Sequence, residues 1–247
     1  MNKNTNPETR VAEGYDIPAV EAWISENTDY FEPPFIWTRL EGGHSNLTYR
    51  LEDSSGKKAV IRRPPMGELL PKAHDMNREW SLIAAFAPHG FPVPEPIGFC
   101  DDLSVTGALF YIMGFAGGRP LFKVEDTLEW VPEHQRTTLA YSFIDTLADM
   151  HVLDPDAIGL TSLGKKEDYI GRQIKAWYRS WVASVDYAEL DDPRTHEFKD
   201  YFLENQPAQV TASVVHGDYY LQNCLFSNDS KVSAVLDWEL ATLGDPL

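Results

Sequence analysis

The sequence predicts an α+β protein in which a five-stranded antiparallel sheet with one long helix precedes a mainly helical part. Strand-like runs separated by turn residues fill the first part of the chain, whereas apolar residues recur at helical spacing after Gly114–Gly118. The chain has 247 residues, of which 43% are hydrophobic, so it can bury a sizeable core. We therefore predict an N-terminal part over residues 1–116 and a helical part over residues 117–247.

The N-terminal part is expected to start with a loose arm of about a dozen residues, followed by a helix that Asp16 caps and that carries Pro18 in its first turn. Val20, Trp23 and Ile24 share one face of this helix. A second helix is expected near residues 73–87, where apolar residues again recur at helical spacing. The five predicted strands cover residues 35–40, 47–52, 58–63, 96–100 and 108–115.

The second part is predicted to contain three helices and a small hairpin. The first helix begins at Pro132, the second carries Ile170 and Trp181, and the third carries Phe198. Residues 210–215 and 232–236 are strand-like and should supply the hairpin. We predict that the apolar stripe that contains Trp177 and Trp181 belongs to the core, and the alternative is the wall of an apolar ligand pocket.

The net charge argues against two classes of binding partner, nucleic acids and anionic membrane surfaces. Acidic residues outnumber basic ones, 38 to 21, which gives a formal net charge of −17. Such a chain lacks the clustered cations that bind nucleic acid or an anionic membrane surface. Two cysteines are too few for a disulfide scaffold, and the N-terminus carries no targeting signal, so we expect a cytoplasmic protein. The oligomeric state is left open, with a dimer as one possibility.

The most informative motif is His216-Gly217-Asp218, followed by Asn223 and then by an apolar strand that ends in Asp237. This spacing matches the catalytic loop and the metal-binding aspartate of protein kinases. Phosphoryl transfer needs a carboxylate near the attacking hydroxyl and oxygen ligands for magnesium. We predict that Asp218 is the base or orienting group, that Asn223 and Asp237 bind magnesium, and that His216 supports the loop. An isolated Gly-Asp pair is usually a turn, but the ordered combination favours a catalytic loop.

With these motifs the sequence resembles the aminoglycoside phosphotransferase and choline kinase superfamily, nearest to the kinase-like domains associated with acyl-CoA dehydrogenases. Besides the two motifs above, the resemblance rests on residues 41–49, 60–65, 73–79, 92–94, 110–113 and 147–151. It implies a bilobal protein-kinase-like fold and a transfer that depends on ATP and Mg²⁺. Chains of those families continue well beyond the residue that matches Asp237, so we expect the helical part to be incomplete.

A loop of small residues after the first strand is a candidate phosphate-binding loop. Gly42, Gly43, Ser45 and Asn46 can approach phosphates through backbone N–H groups or through the Ser45 and Asn46 side chains. A glycine pair between strands is also an ordinary hairpin turn. The loop therefore points to a nucleotide only together with the catalytic motif.

The remaining nucleotide contacts are predicted at Arg62, Glu79, Met113 and Phe115. Arg62 ends the third strand where kinases place a lysine, and Glu79 lies beside the apolar face of the next helix. The alternatives are a solvated edge-strand arginine and a solvated glutamate beside Arg78. The resemblance implies that Met113 and Phe115 belong to the hinge that recognises adenine, although both residues suit a core as well.

The predicted function is transfer of the ATP γ-phosphate to a hydroxyl group of a small molecule. The alternative is a non-catalytic module that binds a nucleotide or an acyl-CoA-like ligand, which the arginine at position 62 favours. A metal hydrolase using His216 and Asp218 is disfavoured because no second histidine lies close in sequence. The resemblance suggests hydroxyacyl thioesters or aminoglycosides as acceptors and does not decide between them.

Overall fold

The computed structural model describes residues 11–40, 46–67 and 75–246. Their contacts form two compact units. Unit one runs to Thr146 and resumes over Asp218–Glu239, and unit two comprises Leu147–Gly217 and the described residues from Leu240 onward. The predicted boundary near residue 116 falls inside unit one. The proposed division into parts 1–116 and 117–247 stays a prediction.

Unit one is built on a five-stranded antiparallel sheet. The strands are β1 Ile36–Arg39, β2 Leu47–Glu52, β3 Lys58–Arg63, β4 Pro96–Cys100 and β5 Phe110–Gly114. Their order in the sheet is β1-β2-β3-β5-β4. Side chains alternate between buried and half-buried along β2, because successive residues of a strand face opposite sides of the sheet. Every residue of β5 is buried. The α+β prediction and the five predicted strands are confirmed.

The helices of unit one begin at acidic caps where the sequence supplies them. Asp16 accepts a hydrogen bond from the Ala19 amide, and Asp75 accepts one from the Arg78 amide. The helices are α1 Ile17–Asn27, α2 Met76–Phe86, α3 Leu103–Thr106, α4 Val124–Trp130 and α5 Arg136–Val152, the last of which continues into unit two. The short α3 and α4 were not predicted.

One hairpin completes unit one. Its strands are β7 Cys224–Phe226 and β8 Val232–Val235, with Cys224 opposite Val235. Two backbone hydrogen bonds of 2.9 and 3.0 Å join Phe226 to Arg119. The hairpin therefore holds the segment before β7 and the segment after β8 at neighbouring positions.

Unit two contains two long helices and a short strand pair. The elements are α6 Tyr169–Ala188, α7 Pro193–Glu204, β6 Ser213–Val215 and β9 Thr242–Gly244. β6 pairs with β9, with Val214 opposite Leu243. In the ranges that the structure describes, no helix is long and apolar enough to cross a bilayer.

Two expectations about this part of the chain are wrong. The strand-like runs at 210–215 and 232–236 do not form one hairpin, because each pairs with a strand that the sequence did not mark, β9 and β7 respectively. The core reading of the tryptophan stripe also fails, since Trp177 is 70% exposed. Trp177 and Trp181 line an open apolar groove between α6 and α7.

Candidate active site

Arg62 is the central side chain of the site. It lies on β3, the middle strand of the sheet, and not on an edge. Its Nη1 is 2.9 Å from Glu79 Oε2, and its Nη2 is 3.1 Å from Asp237 Oδ1. Burial lowers the pKa of Arg62, but Tyr111, Glu79 and Asp237 outweigh this effect and raise the pKa overall. Arg62 is therefore a permanent cation that joins two carboxylates.

Glu79 faces the sheet from α2 and is fully buried. Besides Arg62, Tyr111 contacts this carboxylate, with Oη donating to Oε2 at 2.9 Å, and Asn46 Nδ2 lies 3.4 Å from Oε1. Burial raises the pKa of Glu79, and Arg62 and Tyr111 partly offset the rise. The predicted pairing of Arg62 with Glu79 is present, and the solvated alternatives for both residues are wrong.

Tyr111 is a site residue that sequence reasoning did not single out. Its position could have been found only from the strand pairing, because Tyr111 of β5 lies directly opposite Arg62 of β3. Residues opposite each other in neighbouring strands project to the same face of a sheet. No motif spacing connects Tyr111 with Glu79.

Asp218 and Asn223 are joined by two hydrogen bonds. Asn223 Nδ2 donates to Asp218 Oδ2 at 2.8 Å and to the Asp218 carbonyl oxygen at 2.9 Å. The Leu236 amide donates to the Asn223 carbonyl oxygen at 2.8 Å. Because Asp237 follows Leu236 directly, this bond brings the backbone of Asp237 close to that of Asn223.

Asp237 adopts a left-handed backbone conformation, with φ of 64°. Such a conformation is uncommon for residues other than glycine and is tolerated best by Asp and Asn. The next residue, Trp238, is fully buried, and its Nε1 donates to the Val235 carbonyl oxygen at 3.2 Å. This anchor holds the turn that presents Asp237, whose side chain is 36% exposed.

A cavity of about 370 Å³ adjoins these groups within unit one. Its size is within the range of small-molecule sites. Arg62 and Asp237 supply charge to a mostly apolar lining. Both predicted hinge residues line it, with Met113 buried and Phe115 half exposed. The rest of the lining includes Leu40, Val60, Ile83, Pro94, Leu225, Val235 and Leu236.

The donor atoms fit magnesium better than a transition metal. Within the described ranges no three His, Cys, Asp or Glu side chains cluster as a metal site. Asn223 and Asp237 instead offer an amide oxygen and a carboxylate, with the Asn223 amide nitrogen directed to Asp218. Magnesium is commonly held by one or two protein carboxylates together with phosphate oxygens and water. The set is therefore suited to a magnesium ion that arrives with nucleotide phosphates.

The structure does not test every predicted site residue. Gly42, Gly43 and Ser45 lie outside the described residues. His216 is buried and belongs to unit two. The functional roles assigned to these residues stay predictions.

Gly217 has a structural reason to be glycine. Its φ is +85°, and a Cβ atom there would lie 2.6 Å from the Leu240 carbonyl oxygen. Both the backbone conformation and the close approach exclude a side chain. This backbone geometry explains why position 217 is a glycine, where protein kinases carry an arginine.

Sequence comparisons place this geometry among known proteins. Residues 36–247 match the family described as "Phosphotransferase enzyme family". The chain is 34% identical over 239 residues to acyl-CoA dehydrogenase family member 11 of Pongo abelii, and 35% identical over 217 residues to family member 10 of Mus musculus. These matches cover 94% and 86% of this chain, but only 30% and 20% of the relatives.

Solved structures show the same fold. A protein from Ralstonia eutropha JMP134, described as a candidate aminoglycoside phosphotransferase, superposes with a TM-score of 0.79 at 33% identity. The match covers 94% of this chain and 67% of that one. The macrolide 2′-phosphotransferase of Brachybacterium faecium superposes with a TM-score of 0.60 at 23% identity, over 92% of this chain and 73% of that one.

Proposed function

Because the chain belongs to the phosphotransferase enzyme family, we propose that it transfers the γ-phosphoryl group of ATP to a hydroxyl group of a small molecule. Membership of the family and the α+β kinase-like fold confirm the resemblance inferred from the sequence. The observation that carries the proposal is the pair of ion contacts from Arg62 to Glu79 and Asp237 in the wall of an apolar cavity.

In the proposed reaction the protein positions charge and does little covalent chemistry. Asp218 orients the acceptor hydroxyl and takes its proton as the oxygen attacks the γ-phosphorus. Asn223 holds Asp218 through its amide nitrogen and has its amide oxygen for a metal. Asn223 and Asp237 would hold magnesium, which neutralises phosphate charge when it is bound. Arg62 adds a fixed cation for the phosphates.

The cavity is the proposed site for the nucleotide base. Its apolar walls suit a planar ring, and Met113 and Phe115, which we propose as the hinge, are among the residues that line it. Structures of other phosphotransferases of this fold have been solved with AMP-PNP or ADP. We extend that ligand class to this chain, with Asn46 and the predicted phosphate loop completing the phosphate contacts.

Asp218→Asn is the decisive variant. It should abolish ADP release from ATP in the presence of an acceptor, because the amide cannot accept the hydroxyl proton. Nucleotide binding should persist, since Asp218 is not proposed to contact the base. Asp229→Asn, at an exposed position in the β7–β8 hairpin, is the matched control and should turn over like wild type. Normal turnover by Asp218→Asn would contradict the assigned role.

The acceptor is best sought in a screen for ADP release. The relatives' printed names concern acyl-CoA dehydrogenases, and the structural relatives include complexes with hygromycin B, streptomycin and spectinomycin. We propose to test hydroxyacyl thioesters and aminoglycosides side by side. This chain covers only 30% and 20% of the lengths of the two acyl-CoA dehydrogenase relatives, so their dehydrogenase activity is not extended to it.

A non-catalytic nucleotide-binding module is the second candidate. It is favoured by Arg62, which stands where kinases carry lysine and has both terminal nitrogens against carboxylates. Such a module would gain thermal stability from ATP and magnesium without releasing ADP with any acceptor. Acceptor-dependent ADP release that Asp218→Asn abolishes would exclude it.

A further inference from the structure

Tyr111 is a buried group that the proposed mechanism does not yet use. Its side chain lines the cavity together with Arg62, yet it is only 1% exposed. Its hydroxyl donates to Glu79 Oε2 at 2.9 Å, the same oxygen that Arg62 Nη1 contacts at 2.9 Å. Two donors thus converge on one carboxylate oxygen.

A buried carboxylate of this kind depends on the hydrogen bonds that it receives. Removing a charged group from water is costly unless a countercharge and donors replace the water. The contact from Asn46 to the other Glu79 oxygen is long, at 3.4 Å, so Tyr111 is the stronger neutral donor. Burial raises the pKa of Tyr111 well above its ordinary value, which keeps the hydroxyl protonated as a donor.

The geometry points to Tyr111 as a positioning residue for phosphate binding. Its hydroxyl fixes the Glu79 carboxylate, and Glu79 in turn fixes the Arg62 guanidinium that faces the nucleotide phosphates. The inference rests on the proposed function, because it assigns Arg62 to the phosphates. It adds a residue that neither the family match nor the motif spacing identifies.

The apolar part of Tyr111 has a separate role. Its ring packs near Trp80, with ring centroids 6.3 Å apart. Phenylalanine keeps this packing and removes only the hydroxyl. Tyr111→Phe therefore removes the contacts of the hydroxyl with Glu79 and with the Arg62 guanidinium and leaves the ring in place.

The test compares dissociation constants for ADP and for adenosine, both measured by NMR titration. Tyr111→Phe should weaken ADP binding about tenfold, since hydrogen bonds to charged groups are among the strong ones, and should leave adenosine binding unchanged. Tyr49→Phe is the matched control, because Tyr49 is also buried in the sheet but its hydroxyl accepts from the Glu13 amide. The control should bind both ligands like wild type.

A double-mutant cycle with Arg62→Met separates positioning from general structural damage. If Tyr111 acts through Glu79 and Arg62, Tyr111→Phe should not weaken ADP binding further in the Arg62→Met background. Equal losses in both backgrounds, equal losses for ADP and adenosine, or no loss at all would each overturn the inference.

A second cycle measures the same coupling without nucleotide. Tyr111→Phe should raise the unfolding equilibrium constant about tenfold in wild type and clearly less in Glu79→Gln, because the partner charge is then absent. No coupling between the two residues would overturn the inference. A wild-type chain that shows this coupling but binds no ADP would instead contradict the proposed function and, with it, the phosphate role of Tyr111.

Discussion

At the scale of single residues, the arginine at position 62 changes how the site is held together. A guanidinium presents its donors in a planar fork, so Nη1 reaches Glu79 while Nη2 reaches Asp237. A lysine ammonium is a point charge on a flexible stem. In this chain the cation therefore links α2 to the turn after β8 through two separate nitrogens.

Arg62→Met should destabilise the fold by about 3–5 kcal/mol, the usual cost of leaving one partner of a buried ion pair without its countercharge. The Arg62 and Glu79 side chains are 13% and 1% exposed, so water cannot replace the lost contact. The measurement is the free energy of unfolding in urea. Arg50→Met on β2 is the control, because its pair with Glu52 is longer and more exposed, and it should cost less than about 1 kcal/mol. Similar losses for both variants would argue against a buried pair.

The sequence was sufficient to predict some of these contacts and not others. Arg62 and Glu79 were paired from strand position and helix face, and the spacing of Asp218, Asn223 and Asp237 was matched to that of a kinase catalytic loop. The bond between Arg62 and Asp237 joins residues 175 positions apart, and the role of Tyr111 depends on the register of β3 against β5. Neither leaves a periodic signal in the sequence.

At the scale of elements, periodicity predicted the long helices well and the strand partners poorly. α4 has seven residues and no side-chain cap, so nothing marked it in advance. β6 and β8 were recognised as strands, but their partners have only three residues each. Runs this short cannot be told from loops by alternation alone.

The tryptophan stripe on α6 provides a test at this scale. Trp177→Ala should change the free energy of unfolding by less than about 1 kcal/mol, because the side chain is 70% exposed. Trp238→Ala should cost about 3–5 kcal/mol, since Trp238 is fully buried against Phe86 and Phe91. Urea unfolding of the two variants measures both values. A large loss from Trp177→Ala would restore the core interpretation that the structure replaced.

At the scale of the whole molecule, the sequence predicted the class of the fold, and the division near residue 116 stays a prediction. Composition changes near residue 116, and that change marks where strands give way to helices. The contacts group the segment Asp218–Glu239 with unit one, where its hairpin forms a separate two-stranded sheet. The unit to which that segment belongs is decided by contacts between residues far apart in the sequence, and the composition does not predict such contacts.

The stability of the whole chain should decline in mild acid partly because of His151. Burial lowers the pKa of this imidazole from its ordinary value of 6.5, so between 6.5 and the lower native value the unfolded state binds more protons. The free energy of unfolding should therefore fall as pH decreases through this window. His151→Gln should show a shallower decline when urea unfolding is measured from pH 7.5 to pH 5. His89→Gln, which removes an exposed imidazole, is the control. An unchanged slope in His151→Gln would contradict the assignment.

Unit one is formed from two segments that are separated in the sequence by Leu147–Gly217, and this separation affects how the chain folds during synthesis. Arg62 and Glu79 are made long before Asp237, and Leu147–Gly217 must be synthesised before the β7–β8 hairpin can join unit one. Contacts of such long sequence separation form slowly, because the entropy of closing the intervening loop comes before any gain from the contact. Until Asp237 has been synthesised, Arg62 lacks the second of its two carboxylate partners. We therefore expect the contact between Arg62 and Asp237 to form late in the folding of unit one.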